Sequence, residues 1–195
     1  RWAAASIPAE APPKLDGLEK AAGVRPDVRQ VAAHADGRVA VAALSGLYLR
    51  DGSGAWKVLS PRAEGRSWAL HDVRGVAFDA KGRLWFAAPQ GAGCFDGAWK
   101  LWTGAEGLPY DDFTTMAPGG EGAVWFGTRR GAIRFDGKTW EYRQGLRWLP
   151  HDEVRSMAVD QDGAAWFATP KGVGRIARRP ITLAEKAKFF EDEID

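Results

Sequence analysis

The sequence predicts an all-β chain built from four copies of one small antiparallel sheet, and three observations carry that prediction. A glycine-led apolar segment recurs as GRVAV (37 to 41), GRLWF (82 to 86), GAVWF (122 to 126) and GAAWF (163 to 167), at steps of 45, 40 and 41 residues. Each copy follows an apolar stretch with alanine in one fixed slot, at Ala32, Ala77, Ala117 and Ala158, and precedes a glycine turn at Gly46, Gly91, Gly131 or Gly172. After three of those turns the chain runs into an Asp-Gly pair and then tryptophan: Asp51-Gly52 with Trp56, Asp96-Gly97 with Trp99, and Asp136-Gly137 with Trp140. Asp-Gly between apolar residues is a hairpin signal, because glycine accepts positive φ without steric cost. A period of forty-odd residues marks a stacked or circular array.

One unit holds four short strands. In the last copy these are VRSMAVD (154 to 160), GAAWFAT (163 to 169) and a third over 172 to 176, while the fourth is led elsewhere by the tryptophan. Four antiparallel strands per repeat, rich in aromatic and β-branched residues, predict a propeller blade. Blades are placed at 27 to 60, 72 to 103, 111 to 143 and 152 to 177. The four alanines suit the innermost strand, where blades converge, and Trp85, Trp125 and Trp166 suit the widening wedge between blades. The fourth unit lacks a fourth strand after Ile176. RWAAAS (1 to 6) aligns with WKVLS (56 to 60) and WKLWT (99 to 103), so Trp2 is expected to supply that strand and close a four-bladed ring. The competing reading is a half-ring or a fragment of a larger propeller. Residues 7 to 26 form a linker or a short helical turn. At 178 to 195, Thr182 and Glu185 make a capping box after Pro180, and Leu183, Ala187, Phe190 and Ile194 give an apolar stripe, which predicts an amphipathic helix.

The third and fourth units carry a family resemblance. WFGTRRGAIRFDG (125 to 137) and LPHDEVRSMAVDQDGAAWFAT (149 to 169), with a second Leu-Pro pair at Leu108-Pro109, resemble the two-component regulator propeller repeat over roughly residues 27 to 177. The first unit departs most: Ala40 replaces the tryptophan, His34 stands where other units have Asp79 or Asp160, and LSG (44 to 46) replaces the Thr-x-x-Gly turn. The resemblance implies a β-propeller and a periplasmic or extracellular location. In that family such propellers are sensor regions of bacterial signalling proteins or modules attached to secreted enzymes.

Composition bounds the function. The 195 residues are 45% hydrophobic and 27% charged, with a net charge of +2 and scattered lysine and arginine, which argues against a nucleic-acid partner. No apolar run is long enough for membrane insertion. With Cys94 as the single cysteine, no internal disulfide can form. No nucleophile motif, phosphate loop or dinucleotide fingerprint occurs. GAGCFDG (91 to 97) occupies a repeat turn, and Cys94 takes the strand slot of Leu49, Arg134 and Arg175, so neither implies a cofactor or catalysis.

The candidate site lies at the entry to each innermost strand. The four units read Asp27-Val28-Arg29, Asp72-Val73-Arg74, Asp112-Phe113-Thr114 and Glu153-Val154-Arg155. In a propeller these positions ring one end of the channel. Arg29, Arg74 and Arg155, with Thr114, could hold an anionic group, since guanidinium pairs carboxylate or phosphate through two parallel hydrogen bonds. Alternatively each acid pairs with an arginine of its own or the adjacent blade and ties the ring together, with Asp112 one partner short. Upstream, His71, Tyr110 and His151, with Trp68 and Trp148, suit a loop platform for a small-molecule or saccharide ligand; for the tryptophans, packing under a loop is an equal alternative. No spacing demands a metal, and Asp111-Asp112 has no identifiable catalytic partner. The expected function is a ligand-sensing or interaction module without catalysis. An accessory or catalytic propeller of a polysaccharide-degrading enzyme, and a scaffold that pairs half-rings into a homodimer, are the alternatives; a further domain after residue 195 is also open.

Overall fold

The computed structural model describes Leu15 and residues 17–177 of the chain. Blade 1 contains β1 (Val28–Ala33), β2 (Val39–Ala43), β3 (Gly46–Arg50) and β4 (Trp56–Leu59), hydrogen-bonded in that order. A two-stranded ribbon, β5 (Arg62–Ala63) and β6 (Arg66–Ser67), leads to blade 2: β7 (Gly75–Phe78), β8 (Leu84–Ala88), β9 (Gly91–Phe95) and β10 (Trp99–Trp102). Blade 3 repeats the meander with β11 (Phe113–Pro118), β12 (Val124–Thr128), β13 (Gly131–Phe135) and β14 (Trp140–Arg143). Blade 4 shows β15 (Ser156–Val159), β16 (Ala165–Thr169) and β17 (Gly172–Ile176). All pairings are antiparallel, as expected from the repeat.

Alternation along each second strand decides how blades meet, because successive side chains point to opposite faces. On β8, Phe86 joins the apolar cluster shared with blade 1, while Trp85 joins the cluster shared with blade 3. On β12, Phe126 faces back to blade 2 and Trp125 faces forward to blade 4. Trp85 is 1% exposed and Trp125 5%, so both fill wedges as the sequence predicts. In the wedge between blades 2 and 3, Trp102 stacks on Trp85 at 5.4 Å and 14°, with Phe135 edge-on to both.

Among the described residues, the array has a covered start and an open end. Helix α1 (Leu18–Ala22) lays Leu18 on the outer face of blade 1, against Val39, Val41, Ala43 and Tyr48. A closed four-bladed ring would press that face on blade 4. Among the described residues, no buried cluster joins blade 4 to blade 1. On the far face of blade 4, Trp166 is 41% exposed and Val173 62%. This corrects two expectations: Trp166 was expected to fill a wedge between blades and Ala158 to be crowded like Ala77 and Ala117, but among the described residues no neighbouring sheet lies over that face, so both are exposed. The strand assigned to 1 to 6, the start of the linker and the helix at 178 to 195 lie outside the described residues.

Candidate functional site

The four strand entries converge as the repeat predicts. Backbone hydrogen bonds stitch them to the preceding blade: the amides of Asp72 and Val73 donate to the carbonyls of Leu44 and Ala43 at 2.7 and 3.0 Å, and the amide of Val154 donates to the Thr128 carbonyl at 2.9 Å. Two entries also bulge. Val28 pairs Ala43 while Gln30 pairs Ala42, and Phe113 pairs Thr128 while Thr115 pairs Gly127, which leaves Arg29 and Thr114 as the extra residues. A bulge re-aims the side chain of the unpaired residue.

The result is a cavity of about 450 Å³ drawing on all four blades, lined by Arg29, Arg74, Thr114, Arg129, Glu153 and Arg155, with Val154. The acids at the four entries are paired with arginines. Arg74 binds Asp72 through its Nε at 3.0 Å. Arg29 lies 3.5 Å from Asp27 and 3.9 Å from Asp72 of the next blade, and Arg155 lies 3.5 Å from Glu153. Asp112, expected to be one partner short, takes Arg130 at 3.4 Å. The Arg74 hydrogen bonds hold the Asp72 carboxyl below the usual carboxylate range, outweighing the opposite push from burial. Asp72 also sits at φ 49°, a left-handed conformation that is uncommon outside glycine.

Sequence reasoning did not single out Arg129. It sits just past β12, its amide donates to the Asp112 carbonyl at 3.3 Å, and it makes no ion pair with the described residues. Four guanidiniums and one carboxylate line the cavity, and Arg129 is the one of the four that makes no ion pair with the described residues. Only the Arg-Arg pair of the third repeat, where the other units have Leu44-Ser45, Pro89-Gln90 and Pro170-Lys171, hinted at it. Thr114 Oγ1, buried at the same wall, has no hydrogen-bond partner, and neither do Oδ1 of Asp72 and of Asp112.

The other predicted residues lie elsewhere. Trp68 packs edge-on against Phe86 beside the blade 1–2 core. Tyr110 packs on Tyr142 at 5.0 Å and beneath Arg130. Burial, and then Tyr110, push the Tyr142 phenol up. His71 meets Gln90 at 3.0 Å, and His151 Nδ1 accepts from the Glu153 amide at 3.0 Å. Trp148 lies under Arg143 and lines a separate groove between blades 3 and 4. Among the described residues, no group of three or more His, Cys, Asp or Glu is placed to hold a metal ion.

Three solved structures share this arrangement of blades. The fold is that of a β-propeller. The extracellular domain of a hybrid two-component system from B. thetaiotaomicron superimposes with a TM-score of 0.59 and 22% identity, over 76% of this chain and 21% of its own. The extracellular domain of a one-component system from the same organism gives 0.61 and 16%, over 80% and 22%. Virginiamycin B lyase from Staphylococcus aureus gives 0.61 and 17%, over 77% and 52%. This propeller chain thus spans about a fifth of the two extracellular domains and about half of the lyase. No family model and no curated protein matches its sequence.

Proposed function

We propose that this propeller is a recognition module, without catalysis of its own, of an extracytoplasmic bacterial signalling protein, and that its channel mouth binds a small anion. The observation that carries the reading is the unpaired Arg129 beside the unpartnered Thr114 hydroxyl, in a cavity to which four blades contribute. A carboxylate or phosphate takes two parallel hydrogen bonds from a guanidinium and one from a hydroxyl, which answers both groups at once. The extracellular origin of two of the structurally similar domains supports the location. Three of the four lining arginines are already paired with Asp27, Asp72 or Glu153, which favours a ligand of low charge over a polyanion. Calorimetric titration of the chain with inorganic phosphate at low ionic strength tests it. Binding that weakens about tenfold or more in Arg129→Ala is expected; absence of binding to the parent chain overturns the reading.

A second reading, a scaffold that assembles through blade 4, is favoured by the exposed Trp166 and Val173. A sheet edge or face left uncovered recruits another chain. A molar mass in solution well above the 21.2 kDa of one chain, restored to the monomer value by Trp166→Arg, would select it.

A further inference from the structure

The groove between blades 3 and 4 is the counterpart of a wedge that the protein fills elsewhere. In blade 2, Trp102 pairs with Ala92 across the outer ladder and stacks on Trp85. In blade 3 the same register position, opposite Ala132, holds Arg143. Phe135, which closes the earlier wedge edge-on, is replaced in blade 4 by Ile176. Two large rings are therefore missing from the later wedge. What remains is a groove of about 700 Å³ with Trp125 in the place of Trp85 and with Arg134, Glu141, Arg143 and Trp148 on its walls. That volume is typical of sites for small organic ligands.

One donor in this groove lacks the partner that its counterparts have, and a second has none. The indole N–H groups of Trp85 and Trp166 donate to Asp79 and Asp160, but the matching position before the β11–β12 turn is Gly119, so no carboxylate answers Trp125 in that way. Arg143 gives its terminal nitrogens to the Tyr142 carbonyl at 2.9 Å and to Glu141 at 3.1 Å, while its Nε has no partner. Glu141 is shared between Arg143 and Arg134, so its charge is answered from both sides. Glu121 and Asp162 at the rim oppose a ligand of high negative charge.

We propose that this groove binds a planar aromatic compound carrying one acceptor group, its ring stacked on Trp125 as Trp102 stacks on Trp85 and its acceptor on Arg143. Stacking of flat rings supplies the shape requirement, and a guanidinium donor supplies the polar one. The site is independent of the anion mouth.

Indole-3-acetate is the probe, followed by calorimetry and by the tryptophan indole resonances in heteronuclear NMR, with indole as the ring-only control. Saturable binding by the parent chain is expected. Arg143→Trp, which restores the blade 2 residue, is expected to abolish binding of both compounds while the chain stays folded. Arg143→Lys is expected to weaken indole-3-acetate about tenfold and leave indole unchanged. Should Arg143→Trp fail to fold, Ile176→Phe, which restores the other missing ring, is expected to narrow the groove and weaken both compounds. No binding by the parent chain up to about 10 mM, undiminished binding in a folded Arg143→Trp, or loss of indole-3-acetate binding in Arg129→Ala alone, would each overturn the proposal.

Discussion

The indole N–H of Trp85 donates to Oδ2 of Asp79 at 2.9 Å, and the same carboxylate accepts from the Arg83 guanidinium and from the amides of Lys81 and Arg83. One acid thus closes the β7–β8 turn and fixes the wedge tryptophan. Asp160 repeats the device with the amides of Asp162 and Ala164 and with Trp166 at 2.7 Å, but in the open. Asp79 is 3% exposed. Its removal leaves several buried donors unanswered, so Asp79→Ala is expected to cost about 3 kcal/mol and Asp160→Ala distinctly less, measured by denaturant unfolding.

The same carboxylate makes a pH prediction. Burial pushes Asp79 up, but the Trp85, Arg83 and Lys81 hydrogen bonds outweigh it and hold the carboxyl below its ordinary value. A carboxyl whose folded value is lowered stabilises the protein above its unfolded pKa, near 4, and that stability is lost as pH falls through the lower folded value. Melting temperature should therefore fall less steeply below about pH 4 in Asp79→Asn than in the parent chain; parallel curves would count against the assigned coupling.

Two alanines in one repeat slot should respond differently. Ala117 is 8% exposed and lies opposite Trp125 on the inner ladder, whereas Ala158 is exposed opposite Trp166. Ala117→Leu is expected to cost about 1–3 kcal/mol by overpacking. Ala158→Leu should stay within about 0.5 kcal/mol, as for an ordinary surface change. Equal costs would mean that something covers blade 4 in solution.

The difference between those alanines marks what sequence could and could not reveal. Period 2 within strands and the forty-residue repeat specify which residues belong to β8 or β12, so Trp85 and Trp125 were legible as wedge residues. Whether a face has a neighbour depends on packing between units, which a repeat expresses identically in every copy. Ala77 and Ala158 look alike for that reason. The mouth was legible through Arg29, Arg74, Thr114 and Arg155 because entries recur in phase. Arg129 was not, because it lies on a turn whose residues vary from unit to unit.

Asp72 competes with any anion for the arginines of the mouth. It binds Arg74 and approaches Arg29 from the left-handed conformation that Asn also tolerates. Asp72→Asn should release both guanidiniums while keeping the backbone, raising phosphate affinity about threefold to tenfold and costing about 1 kcal/mol of stability. Weaker phosphate binding in a folded Asp72→Asn would indicate that Asp72 positions the arginines and does not compete for them.

Cys94 should be chemically silent in the folded protein. It lies on β9, buried opposite Trp85, and burial pushes its thiol up to about 12, with the nearby Arg83 only partly offsetting. The thiolate is the nucleophile, so almost none is present near neutral pH, and access is blocked as well. Reaction with a disulfide reagent at pH 8 is expected only as fast as the chain unfolds, and to become complete within minutes in strong denaturant. Fast labelling of the native chain would place Cys94 at a surface, which would contradict the packing of β9 between blades 1 and 3.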